Sequence, residues 1–156
     1  MESRIYRLAL LFVFVALGVA SPATYADWLG PEGKDADRYA PRNLEKILTA
    51  NPLGENEEFK VMSLFENPRS KHVLVQVRDR EPAHVHTDSD ISVWLLRGNG
   101  VMHIGGKEHP VKTGDVIHVP RDVVHYYVNR GPEAGAALVI YSPAPGPDDR
   151  VLIREK

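Results

Sequence analysis

The sequence predicts an all-β sandwich or barrel, on three observations. From Phe59 onward the chain is a succession of short runs in which apolar residues alternate with polar ones. Clusters of Gly, Pro, Asn and Asp punctuate those runs at turn-like spacing. There is no internal repeat and no low-complexity segment. At 156 residues the chain is long enough for one domain with a proper core.

The elements follow in order. Arg4 and Arg7 precede an apolar run from Leu8 to Ala20, and small residues and a proline follow at Ser21, Pro22, Ala23 and Ala26. That is the pattern of a secretory signal peptide, residues 1–26, with cleavage expected after Ala26 and after Ala23 as the alternative. The run is shorter than the roughly 20 apolar residues a spanning helix needs, which argues against an uncleaved membrane anchor. Residues 27–58 read as an N-terminal arm. Its first part, with Gly30-Pro31-Glu32-Gly33, is irregular; Pro41 to Ala50 carries Leu44, Ile47 and Leu48 at the spacing of a short amphipathic helix, stopped by Asn51-Pro52 and Gly54.

Strands are then expected over 59–66, 72–78, 83–86, 91–96, 101–104, 107–111, 116–119, 125–129 and 136–141, with a tight hairpin at Gly105-Gly106. These fill residues 59–142. The tail, 143–156, is extended or loose around Pro143, Pro145 and Pro147, with Val151-Leu152-Ile153 available for one last strand.

Charge and composition narrow the partners. The chain has 19 basic and 21 acidic residues; losing Arg4, Arg7 and Glu2 with the signal leaves 17 against 20, a formal charge of −3. No basic patch stands out, so nucleic acid is not an expected partner. There is no cysteine, hence no disulfide, thiol nucleophile or thiolate ligand. An exported protein of this kind must be held by its core, or by a metal or a partner subunit.

Two segments carry the chemistry. The first contains His84-Val85-His86; the second runs from Gly114 to Asn129 and contains His125. A His-x-His pair on a strand points both imidazoles to one face, because strand side chains alternate sides. Imidazole nitrogen suits Zn, Cu, Fe and Ni, so two on one face with a distant third make a metal site.

The two segments together resemble the cupin superfamily. Its first motif is Gly, five residues, His-x-His, three or four residues, Glu, six residues, Gly; its second is Gly, five residues, Pro-x-Gly, two residues, His, three residues, Asn. Gly114, Pro120, His125 and Asn129 fall at the second spacing, and His84, His86 and Gly98 within the first. The resemblance covers roughly residues 59–142 and implies the double-stranded β-helix, a jelly-roll barrel, preceded here by the short arm and helix. It places His84, His86 and His125 where the family's metal-binding histidines stand, around a divalent Fe, Mn, Ni, Cu or Zn ion.

Three departures bear on the site. With a three-residue gap after His86 the carboxylate ligand is Asp90, but Gly98 then comes one residue late; with a four-residue gap the spacing is right, but Ile91 cannot bind metal. Asp90 is kept as the expected fourth ligand, with a three-histidine site as the alternative. Asp122 replaces the second motif's glycine and reads as a turn residue able to adopt a left-handed conformation. Arg78 stands where the first motif's leading glycine would be.

Tyr127, two residues after His125, shares its parity and is the candidate catalytic residue; a barrel-wall role is the alternative. Gln76, Trp94, His103 and Tyr141 are further candidates for the pocket wall, while His72, His109 and His118 read as turn-side or surface residues. The resemblance implies a mononuclear metalloenzyme of dioxygenase, isomerase or lyase type acting on a small molecule, exported to the periplasm or secreted. A non-catalytic metal- or ligand-binding sensor is the alternative. A homodimer formed through sheet edges and the N-terminal arm is also expected.

Overall fold

The computed structural model describes residues 41–154. The expected signal peptide and the arm up to residue 40 lie outside the described residues. Among the described residues, a helix, α1 (Leu44–Ala50), is followed by ten strands: β1 (Phe59–Asn67), β2 (Ser70–Val77), β3 (His84–His86), β4 (Asp90–Arg97), β5 (Asn99–Ile104), β6 (Lys107–Lys112), β7 (Val116–Val119), β8 (His125–Asn129), β9 (Gly135–Ser142) and β10 (Arg150–Leu152). They form two antiparallel five-stranded sheets, in the orders β1-β2-β9-β4-β7 and β10-β3-β8-β5-β6. This is the expected jelly roll.

Alternation builds the inner face. On β4, Ile91, Val93 and Leu95 are buried while Ser92 and Trp94 are exposed. Val73, Val75 and Val77 of β2 join them in one core with Met102, Val111, Val119, Tyr127 and Val139. Each such aliphatic side chain contributes about 1.5–3 kcal/mol when fully buried, which is how a chain without disulfides is held. Gly105 and Gly106 take positive φ angles of 56° and 81° in the β5–β6 hairpin, as a two-residue turn matched to strand twist requires.

The other face of β2 is buried as well. Leu74 is fully enclosed, and the Gln76 amide donates to the Asn51 carbonyl, just beyond α1, at 2.9 Å. Gln76 therefore faces away from the barrel interior, contrary to its expected place in the pocket wall. Trp94, 51% exposed, and His103 also point outward, because Val93 and Met102 beside them take the inner positions. His103 stacks instead on Tyr126, with ring centroids 4.2 Å apart.

The two histidine segments meet through strand register. His84 on β3 and His125 on β8 are direct cross-strand partners. β3 is flanked on its other side by β10, with Arg150 opposite His86 and Leu152 opposite His84.

Candidate metal centre

His84 and His86 lie two residues apart on β3, so both imidazoles enter the barrel, and His125 enters from the neighbouring strand. All three are buried, with ring centroids 4.4 to 5.4 Å apart. One ligand nitrogen from each lies within 4.8 Å of the other two. Two nitrogens bonded to one ion at about 2.0–2.1 Å lie at most about 4.2 Å apart, so a small side-chain adjustment brings all three into reach.

Every Nδ1 already has an oxygen partner. His84 pairs with the Pro82 carbonyl at 2.8 Å and His125 with the Val123 carbonyl at 2.9 Å. His86 pairs with Asp149 Oδ2 at 2.5 Å. Each neutral ring then carries its proton on Nδ1 and keeps the Nε2 lone pair for another partner. His125 Nε2 is buried without a hydrogen-bond partner, a state that costs about 1–3 kcal/mol. A cation bound between the rings would satisfy it, so the residues fit a divalent metal.

The rings of His84 and His125 stay neutral well below neutral pH. Burial, reinforced by neighbouring His125, lowers the His84 pKa to about 3. Burial lowers His125 to about 4 despite its bond to Val123. His86 is lowered too, since desolvation outweighs the pull of Asp149.

The histidines line a cavity of about 60 Å³. Its walls are largely Val, Ile, Leu, Met and Ala, with Glu81, Tyr127 and Tyr141 as further polar residues. Among the described residues lining it there is no lysine or arginine. Tyr141 packs its ring edge-on against His86 at 5.0 Å, and burial pushes its phenol up to about 12. Glu81 accepts the Tyr127 N–H at 3.2 Å; desolvation raises its carboxyl above the ordinary range, more than Tyr127 and Arg150 lower it.

Residues 71–141 match the family model described as Cupin domain. An uncharacterized protein of Aquifex aeolicus (strain VF5) is 30% identical over 117 residues, 74% of this chain and 96% of that protein. The chain belongs to the cupin superfamily.

Solved structures agree on the fold. A double-stranded β-helix protein from Klebsiella pneumoniae superposes with a TM-score of 0.60 at 22% identity, covering 69% of this cupin and 95% of that chain. TT1209 from Thermus thermophilus gives 0.59 at 23%, covering 67% and 98%. Pac13, a nucleoside dehydratase from Streptomyces, gives 0.55 at 19%, covering 62% and 79%.

The structure brings together His84, His86 and His125 of the expected cupin ligands. Asp90 is not in that group. It shares the parity of Ser92 and Trp94, and its Oδ1 accepts from the Arg121 backbone at 2.9 Å and from Arg121 Nε at 3.3 Å. Ile91, next along, lines the cavity instead. Tyr127 also lines it, but its hydroxyl donates to Asn129 Oδ1 at 3.3 Å. Asn129 serves the loop: its amide donates to the carbonyls of Arg78, at 2.8 Å, and Glu133, at 2.7 Å. Asp122 has φ 62° and donates its N–H to the His86 carbonyl at 2.7 Å, so the expected turn residue also ties the two segments together.

Sequence reasoning missed Glu81 and Asp149. Both sit in charged, proline-containing stretches (Arg80-Glu81-Pro82 and Pro147-Asp148-Asp149-Arg150) that read as solvated loops. Nothing in the spacing connects either to the histidines.

Proposed function

We propose that this protein binds one divalent transition metal through His84, His86 and His125 and acts as a mononuclear metalloenzyme on a small, mostly apolar molecule. The observation that carries the reading is the buried, unpartnered His125 Nε2 beside two further imidazoles whose Nδ1 atoms are already engaged. The chemistry of the donor set admits Fe, Mn, Ni, Cu and Zn. When bound, the ion supplies a Lewis acid with open positions for substrate or water.

The chain's own residues supply the rest. Glu81, whose carboxyl is raised by burial, is the carboxylate in the cavity wall available to accept and return a proton. Tyr141 stays protonated and offers a hydrogen-bond donor beside His86. The apolar walls exclude water, and the lining residues offer no fixed cation for a phosphate group. Tyr127, the catalytic candidate from sequence, serves in this reading as cavity wall, its hydroxyl held by Asn129. Asp90 stays outside the ligand set, because reaching the histidines would require it to leave Arg121 and cross to the other face of β4.

Dioxygenase, isomerase and lyase chemistries fit such a site. The dehydratase activity of Pac13 is an example of the lyase type on this fold, and function follows the site rather than the fold. Elemental analysis of purified protein should find one metal per chain, and none in the His84→Ala/His86→Ala/His125→Ala variant. Oxygen uptake or product formation by the metal-loaded protein, screened over small aromatics and acids, should reveal turnover.

One observation favours a second reading, a non-catalytic metal- or small-ligand-binding sensor. The cavity of about 60 Å³ has room for only a few water-sized groups. Absence of turnover across the screen, with metal bound and one small ligand retained, would select it.

Residues 1–26 support export to the periplasm or secretion, and Asp27 at the N-terminus of the mature protein would establish the cleavage. Exposed Trp94 and Val116, cross-strand partners at the edge of the first sheet, support a homodimer. A monomer mass on size-exclusion chromatography would reject it.

A further inference from the structure

The carboxylate of Asp149 reaches His86 from 63 positions further along the chain. It is one of the most deeply buried side chains described, 2% exposed, and its two oxygens divide their work. Oδ2 takes His86 Nδ1, while Oδ1 accepts the N–H groups of Asp88 at 2.7 Å and Ser89 at 3.1 Å. The backbone around it is docked as well. Thr87 N–H donates to the Asp149 carbonyl, β10 pairs with β3, and Ile153 N–H donates to the Ala83 carbonyl.

We propose that Asp149 is the positioning residue of the metal centre: it holds His86 in its Nδ1–H form, leaves Nε2 as the ligand lone pair, and so makes the segment 146–153 part of the site. A neutral imidazole has one ring proton, and a carboxylate, which only accepts, draws it to the near nitrogen. The same bond fixes the ring plane and strengthens the far nitrogen as a donor to metal. Metal binding and docking of the C-terminal segment therefore stabilise each other, and the coupling is reciprocal. The inference rests on the three-histidine reading for its metal consequence, though the tautomer of His86 can be measured without any metal.

Asp149→Asn is the discriminating change. Its Oδ1 still accepts from Asp88 and Ser89, but its NH₂ group then faces His86 Nδ1 and donates to it, moving the ring proton to Nε2. The experiment uses the full chain. Nitrogen NMR of the metal-free wild type should show His86 protonated on Nδ1. In Asp149→Asn the proton should sit on Nε2, with His84 and His125 unchanged. Zn²⁺ affinity, measured by competition with a chelator, should fall roughly 10–100-fold while the melting temperature of the metal-free protein changes little.

A wild-type His86 protonated on Nε2 would overturn the proposal, whether or not the variant folds. So would a folded Asp149→Asn protein that binds Zn²⁺ as tightly as wild type. If the tautomer switches but wild type binds no Zn²⁺, the positioning role stands and the metal reading fails.

Discussion

The two histidine segments serve one cluster but are held in different ways. The second, residues 114–129, holds its histidine from within the segment, although its ends are tied to Leu95, Asp79 and Arg78. Asp115 caps the Lys112 N–H, Asp122 turns the chain through a left-handed conformation, and Val123, two residues before His125, holds its ring. The first, residues 83–90, borrows its support. Asp149 holds His86, Asp88 and Ser89; Asp122 N–H holds the His86 carbonyl; Arg121 holds Asp90. The departure at the family's glutamate position falls in the borrowed segment, where the loop is shaped by distant residues rather than by its own sequence.

Removing the cluster altogether has the largest expected effect. The triple alanine variant should lose its whole equivalent of metal, as elemental analysis would report. Retained metal would show that the two segments do not share a centre.

Acidification comes next and sharpens the contrast between buried rings and the unfolded chain. His84 and His125 have folded-state pKa values of about 3 and about 4, below the unfolded value near 6.5. The unfolded chain therefore takes up protons first, and stability of the metal-free protein should fall as pH drops from about 6.5 toward 4. The slope is on the order of 1 kcal/mol per pH unit for each imidazole. Glu81 works in the opposite sense, because its raised carboxyl gains its proton more readily when folded. Denaturant melts in the Glu81→Gln background isolate the imidazoles, and a flat profile there would contradict their burial as neutral groups.

A smaller effect is expected at Val123. Its carbonyl, not its side chain, holds His125, so Val123→Ala should cost about 1 kcal/mol in packing yet leave Zn²⁺ affinity within about twofold. A large loss of affinity would mean that the second segment depends on more than its backbone.

The smallest effect belongs to Asp90→Ala. Its partner Arg121 is exposed, so stability should change little, and metal affinity should not change. A marked loss of affinity would restore Asp90 to the ligand set.

What could be read from the sequence follows the same division. The alternation Ile91-Val93-Leu95 and the paired glycines of the β5–β6 hairpin are local signals, and they place strands and turn as expected. His125 and its turn are local too. Gln76 is a pocket-wall candidate by its place on a strand, yet both faces of β2 are buried and Gln76 lies on the one covered from the Asn51 side. The choice between Asp90 and Ile91 turns on strand parity, which depends on where β4 begins after the loop. Asp149 and Glu81 owe their roles to neighbours far along the chain, and no pattern within their own stretches reports them.

The shared rung of His84 and His125 makes the centre vulnerable to insertion and deletion. Adding one residue to the turn before β8, if the strand slid by one position against β5, would carry Tyr126 inward and His125 outward. The barrel would keep its sheets and most of its apolar wall, while the third nitrogen left the cluster. A lineage of such barrels could thus lose its metal through a change in length of one turn, with all three histidines still present in the gene.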